Sequence, residues 1–382
     1  MIALDIDSIV IILYDYMNNY MGKVLILLVI LLSSLVLLQG VRRLQLRAKI
    51  GQSQPVQNIS PTPTSAKSGK TITPSVQPKI TTSPFGVMIS GTTSQVKAQT
   101  AVKLGAKYYR PIAVFLDKWS GTCAECDAAV GVGLKLVLTI RNNGGAGQPS
   151  TPPSDLNAFK QTLAQIIDKY KPEILVIENE ENSAAIFYSG TTSQYLQELK
   201  AGCEVAHQKG IKCTNGGLVS SLVVFLVADS YQQAGDQNKA NEYLNRTLIG
   251  AKQKLISQAN SAKGREEIAQ GKEFLAGYKG AGADFMNFHW YIADTKALGE
   301  AVSYLRAASG LPVMTNEVGQ QANTDPSQVT SVMQEIVNLG LPYALWFSMD
   351  TNPPNGARAL NETNGTLRPN GEAYAQFIRS NF

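Results

Sequence analysis

Histidine is nearly missing from this chain: 382 residues contain two, His207 and His289. A metal-dependent barrel hydrolase needs clustered His and Asp donors, so that class is disfavoured and no metal is expected. A glycine-rich phosphate loop is also missing. The turn after the first predicted strand reads Ser90-Gly-Thr-Thr93, which cannot cradle a pyrophosphate, and no soluble cofactor is implied. No second CxxC accompanies Cys123 and Cys126, which weakens a four-cysteine zinc site. Two local disulfides are the stronger reading, with Cys203 and Cys213 ten positions apart across a helix-to-strand connection. Thr122-Cys-Ala-Glu-Cys126 follows no thioredoxin-like strand, so a redox CxxC is weaker again.

Charge is missing in one place only. The formal net charge is +5, but eight of the 34 basic residues and three of the 29 acidic ones fall in residues 1–84. The remainder is therefore balanced. A basic pI that belongs to a tail is poor support for nucleic-acid binding, and none is expected.

That tail has its own organisation. Val24 to Val41 is an apolar run of about 18 residues, the lower limit for a membrane-spanning helix. No small-x-small cleavage pattern follows it, so an uncleaved anchor over 22–41 is expected, after an N-terminal segment 1–21 in which Met21 is an alternative start. Residues 42–84 form a Ser/Thr/Pro-rich stretch that cannot bury enough surface to offset its ordering entropy, and so read as a disordered linker. A tether between a span and a folded domain suggests surface display: a single-pass membrane protein whose domain is extracellular. Arg42-Arg43 opposes this, because a cationic flank favours the cytoplasmic side.

From Phe85 to Phe382 short apolar runs alternate with longer amphipathic stretches, the pattern of parallel βα units. Eight strands are predicted within Phe85–Ser90, Lys107–Ile112, Leu134–Ile140, Ile174–Ile177, Ile211–Gly216, Asp284–Tyr291, Leu311–Glu317 and Leu341–Phe347. Helices are predicted over Thr93–Leu104, Asp155–Tyr170 and Ser193–Lys209. Leu222–Gly282 is too long for one crossover and reads as two or three helices, with Glu242–Ala259 the clearest. The expected architecture is an α/β (β/α)8 TIM barrel over 85–382, with a helical insertion between strands 5 and 6.

In such a barrel the polar residues at the carboxyl ends of the strands converge on one pocket. Two strand ends read Asn-Glu: Asn179-Glu180 on the fourth and Asn316-Glu317 on the seventh, which face each other across the mouth. Opposed carboxylates are the equipment of glycosidic cleavage, one as proton donor and one as nucleophile or base. Three carboxylates in four positions, Glu178, Glu180 and Glu181, also repel one another and raise at least one pKa. Glu178 is expected to support the site from behind or to point outward, because strand side chains alternate.

These motifs resemble those of the clan A glycoside hydrolases, retaining enzymes on (β/α)8 barrels. Asn179-Glu-Glu-Asn182 matches the family's Asn-Glu-Pro-Asn except at the proline, and Thr315-Asn-Glu-Val-Gly319 fits the nucleophile strand. His289-Trp-Tyr291, Arg110 and Trp346 match positions on strands six, two and eight. The resemblance implies Glu180 as acid/base and Glu317 as nucleophile, with Arg110 and Tyr291 keeping Glu317 ionised. It implies substrate contacts from Arg110, Asn179, His289, Tyr291, Asn316 and the sugar-stacking Trp346. It further implies a poly- or oligosaccharide substrate joined by β-linkages and a monomeric catalytic domain. Only three tryptophans exist, which argues against a long aromatic-lined cleft. The rival expectation is a barrel that binds glycans as an envelope scaffold without turnover.

Overall fold

The computed structural model describes residues 82–145, 147–248, 252–319, 325–349 and 359–382. The segment 1–21, the anchor 22–41 and nearly all of the linker 42–84 lie outside the described residues. No helix among the described residues is long and apolar enough to cross a membrane.

Among the described residues nine parallel strands form the sheet: β1 (Phe85–Ser90), β2 (Tyr108–Tyr109), β3 (Val114–Phe115), β4 (Lys135–Arg141), β5 (Ile174–Ile177), β6 (Lys212–Asn215), β7 (Met286–Trp290), β8 (Val313–Val318) and β9 (Ala344–Met349). Their order is β6-β5-β4-β2-β1-β9-β8-β7, with β3 an extra strand on β4. Parallel bridges Thr214↔Phe285 and Leu218↔Phe288 join the two ends, closing an eight-stranded barrel. All eight predicted strands are present. The second is the most changed, because the predicted Lys107–Ile112 forms only two ladder residues before the chain turns at Pro111.

Two apolar layers follow from strand alternation. Tyr108, Val137, Ile174, Val176, Met314 and Leu345 fill the barrel. Their neighbours in sequence, such as Leu138, Leu175, Ile177 and Trp346, face the helices instead. Each fully buried aliphatic side chain contributes about 1.5–3 kcal/mol, and β5 buries all four of its residues.

Around the barrel lie α1 (Ser94–Lys103), α2 (Ala124–Gly131), α3 (Leu156–Tyr170), α4 (Thr192–Gln208), α5 (Ser220–Gln233), α6 (Gln237–Thr247), α7 (Lys252–Ala259), α8 (Ala262–Tyr278), α9 (Thr295–Ser309), α10 (Pro326–Asn338) and α11 (Pro369–Asn381). Their starts are fixed locally. Asp155 caps α3 through Asn157 N and Ala158 N, and Thr191 and Gln194 form a capping box on α4. Among the described residues the insertion contains four helices, not two or three, and the predicted Glu242–Ala259 helix is divided between α6 and α7. The first of these ends at Thr247, with Leu248 as its C-cap, and the next begins at Lys252.

Both disulfides are formed. Cys123–Cys126 closes the first turn of α2, and Cys203–Cys213 ties α4 to β6.

Candidate active site

The mouth of the barrel brings together residues from β2, β5, β7 and β8. Arg110 follows β2 and is 4% exposed. Its Nε donates to Thr139 Oγ1 at 3.1 Å, one Nη donates to Asn179 Oδ1 at 2.5 Å, and the other donates to Glu317 Oε2. One guanidinium thus holds both strand ends that read Asn-Glu. Tyr291 donates its hydroxyl to the other oxygen of Glu317.

Two backbone irregularities aim the carboxylates. On β8 the register slips against both neighbours: His289 pairs with Glu317 and Asn287 with Met314 on one side, while Thr315 and Val318 pair with Ala344 and Trp346 on the other. The extra residue lets Asn316 and Glu317 both leave the helix-facing side, which strict alternation would deny to one of them. After β5 the chain enters the left-handed region at Glu178 (φ 63°) and Glu180 (φ 43°). Such conformations cost about 1–3 kcal/mol each for side-chain-bearing residues and persist where surrounding contacts dictate them.

His289 sits between the two glutamates, fully buried. Its Nδ1 lies 2.8 Å from Glu180 Oε1 and 3.7 Å from Glu317 Oε2. Its Nε2 faces Asn316 Oδ1 at 3.1 Å, an oxygen that also accepts from Asn287 Nδ2 at 2.9 Å. Nε2 is therefore the donor on that side, which leaves Nδ1 to exchange a proton with Glu180. Gly217 (φ +104°) passes so near the ring that a Cβ there would lie 2.5 Å from Nε2, so only glycine fits.

The electrostatics follow the contacts. Burial alone would push the Glu317 carboxyl up, but the charges of His289 and Arg110 and the Tyr291 hydroxyl outweigh it and hold it down at about 2. Burial works against a charged His289, and the negative charge of Glu317 with the hydrogen bond to Glu180 overcomes it, raising the imidazole. The neighbours of Glu180 are raised, but by burial and not by the mutual repulsion expected of three carboxylates in four positions. Burial pushes Glu178 up to about 7 and also raises Glu181.

One oxygen of each glutamate and a ring nitrogen of His289 lie within 4.8 Å of one another. By donor count this trio could hold a cation. Arg110 already supplies the positive charge on Glu317, and His289 Nδ1 is engaged by Glu180, so a second cation is disfavoured.

Trp346 does not face the pocket. It is 1% exposed and packs edge-on against Tyr374 of α11, centroids 6.1 Å apart, so it cannot stack on a sugar. Strand alternation turns the next residue inward instead, and Phe347 meets the Tyr291 ring at 6.3 Å. Asn316, expected to touch substrate, is fully buried behind His289 and serves that ring. Glu178 supports the site from behind: its carboxyl accepts from Asn142 N and Ser150 Oγ, both at 2.7 Å, and faces Arg141. Sequence reasoning missed Asn215, Asn287, Tyr278 and Phe347. Asn287 and Phe347 carry a signal in hindsight, since each lies two residues, one alternation, from a site residue or an inward-facing one.

Residues 230–374 match the family described as glycosyl hydrolase catalytic core. That span contains His289, Tyr291 and Glu317, whereas Arg110, Asn179 and Glu180 precede it. No curated protein matches the sequence. Among solved structures, an exo-β-1,4-mannosidase from Opitutaceae bacterium strain TAV5 superposes with a TM-score of 0.50 at 13% identity, over 78% of this chain and 59% of its own. A GH128 endo-β-1,3-glucanase from Amycolatopsis mediterranei, solved with laminarihexaose, gives 0.43 at 14% identity over 77% and 98%. A GH128 oligosaccharide-binding protein from Trichoderma gamsii gives 0.41 at 13% identity over 77% and 93%. At such identities the likeness is one of fold.

Proposed function

We propose that the chain is a glycoside hydrolase on a (β/α)8 barrel that cleaves β-glycosidic bonds of a poly- or oligosaccharide with retention, through a covalent glycosyl-enzyme; the match of residues 230–374 to a glycosyl hydrolase catalytic core supports this reading. The observation that carries this reading is the spacing of Glu180 and Glu317, whose oxygens approach within 4.8 Å. Retaining enzymes keep their carboxyls about 5–5.5 Å apart, while inverting ones leave about 6.5–9.5 Å for a water.

Glu317, kept ionised by Arg110, Tyr291 and His289, attacks the anomeric carbon while Glu180 gives its proton to the leaving oxygen. In the second step Glu180 takes a proton from water, and that water displaces Glu317 from the sugar. Asn179 spends its Oδ1 on Arg110, so its Nδ2 is the end that meets the sugar 2-hydroxyl. His289 shares the proton of Glu180 across their hydrogen bond. When Glu317 becomes an ester it loses the charge that favours the imidazolium of His289.

Full-length protein incubated with a panel of mechanism-based fluorinated glycosides tests this. An adduct on Glu317 by peptide mapping, absent in Glu317→Gln, supports retention and names the sugar. No adduct, together with measurable glycan binding, would favour the non-catalytic scaffold. We propose further that residues 22–41 anchor the chain in a membrane with the catalytic domain outside. Resistance of the full chain to alkaline extraction, with protease access to the barrel in intact cells, is the expected result.

A further inference from the structure

Position 181 is where the acid/base motif departs from its resemblance, with a glutamate in place of a ring-stiffened proline. The side chain is 2% exposed. Its Oε1 accepts from Asn215 Nδ2 at 2.7 Å and from the Tyr278 hydroxyl. Asn215 ends β6, and Tyr278 is the last residue of α8, the final helix of the insertion. Asn215 is itself fixed by Asn287, receiving Asn287 N on its Oδ1 at 2.7 Å and donating to Asn287 O at 2.9 Å. The other oxygen, Oε2, is buried without a partner among the described residues, against Gly216, where an added Cβ would lie 2.9 Å away.

A buried carboxyl held by one oxygen costs free energy and needs a reason. The reason lies one residue upstream. Glu180 is in the left-handed region, and its side chain must still reach His289 Nδ1. Proline would restrict the residue before it to extended backbone, so stiffening by a ring is incompatible with this φ. Hydrogen bonds downstream of Glu180 can do what a ring cannot.

We propose that Glu181 is a positioning residue for the acid/base: clamped by Asn215 and Tyr278, it holds Glu180 in the left-handed backbone conformation from which its carboxyl reaches His289 and the leaving oxygen. The insertion thereby contributes to catalysis, because Tyr278 belongs to it. This inference rests on the reading of Glu180 as proton donor. An amide has the shape of a carboxyl and keeps an oxygen to accept from Asn215 and Tyr278, so Gln serves at this position where Ala does not.

The test compares full-length wild type, Glu181→Ala, Glu181→Gln and Tyr278→Phe on two aryl β-glycosides of the sugar that labels Glu317. The 2,4-dinitrophenyl glycoside has a leaving group that needs no proton; the phenyl glycoside needs one. Misplacing a catalytic group by about 1 Å costs on the order of 10²-fold. Glu181→Ala is expected to lose about that much in kcat/KM on the phenyl glycoside and less than about threefold on the dinitrophenyl one. Tyr278→Phe should lose less in the same direction, and Glu181→Gln should recover most of the rate. Equal losses on both substrates in all variants, or no loss in any, would overturn the proposal. Amide hydrogen exchange of residues 178–183 gives a second readout. Faster exchange there in Glu181→Ala and Tyr278→Phe, with β8 unchanged, is expected, and unchanged exchange would also overturn it. If the wild type hydrolyses neither glycoside, the functional reading fails, and the exchange experiment still decides whether Glu181 holds the loop.

Discussion

The two glutamates proposed to carry catalysis stand at opposite sides of one barrel mouth and are held by opposite means. Glu317 is gripped directly: Arg110 and Tyr291 each take one of its oxygens, and the backbone delivers it through a register slip in β8. Among the described residues Glu180 makes a single side-chain hydrogen bond, to His289, and is held chiefly through its neighbours. Glu178 is anchored through Arg141, Asn142 and Ser150, and Glu181 through Asn215 and Tyr278. The difference suits the two jobs. A nucleophile must stay ionised, so it gathers positive charge; a group that alternates between acid and base is better fixed by its backbone, leaving its carboxyl free to gain and lose a proton.

That contrast can be broken most sharply at Glu317. Glu317→Gln should lower kcat by on the order of 10⁴–10⁶-fold, as removal of a nucleophile does, while intact-mass measurement shows no adduct with any fluorinated glycoside. Tyr291→Phe is milder: a loss of about 10²-fold is expected. The depressed pKa of Glu317 also predicts the sign of the pH effect. Its contribution to stability is present above the ordinary carboxylate range and is lost as pH falls toward about 2. Tyr291→Phe raises that pKa, so the acid limb of kcat/KM should move to higher pH.

On the other side of the comparison the acids run the opposite way. Glu198 of α4 is fully buried and, through burial and then the charge of Glu178, lies well above the ordinary range. With Glu178 pushed up by burial to about 7, the folded chain keeps a proton that the unfolded chain has released. Stability should therefore fall as pH rises from about 4.5 to about 7. Glu198→Gln should flatten that slope in melts recorded across the window. The smallest expected effect separates two adjacent aromatics. Trp346→Phe should cost about 1–3 kcal/mol of stability with KM unchanged, whereas Phe347→Ala should raise KM with a smaller change in melting temperature.

Much of this was legible without coordinates. The strand count and the two Asn-Glu strand ends follow from local patterns, because a buried strand announces itself by composition and its polar end must lie at a mouth, whereas the pairing of Arg110 and Tyr291 with Glu317 was implied by the family resemblance. The disulfide partners were legible as well, since short spacing leaves few alternatives. Trp346 was not. Whether a strand residue faces the barrel or the helices changes with a shift of one position, and amphipathic aromatics fit either layer. The buried place of Asn316 was hidden for a related reason, as a register slip in β8 overrides alternation.

The amino-acid sequence by itself determined the barrel, its insertion and the identity of the two opposed glutamates, because apolar periodicity and strand-end chemistry are properties of neighbouring residues. Only the tertiary structure decided which aromatic turns inward, that Asn215, Asn287 and Asn316 form one chain behind His289, and that Tyr278 reaches Glu181 across 97 positions. Such contacts join residues far apart in the chain, and they exist only once the strands have closed and the burial of each polar group demands a partner.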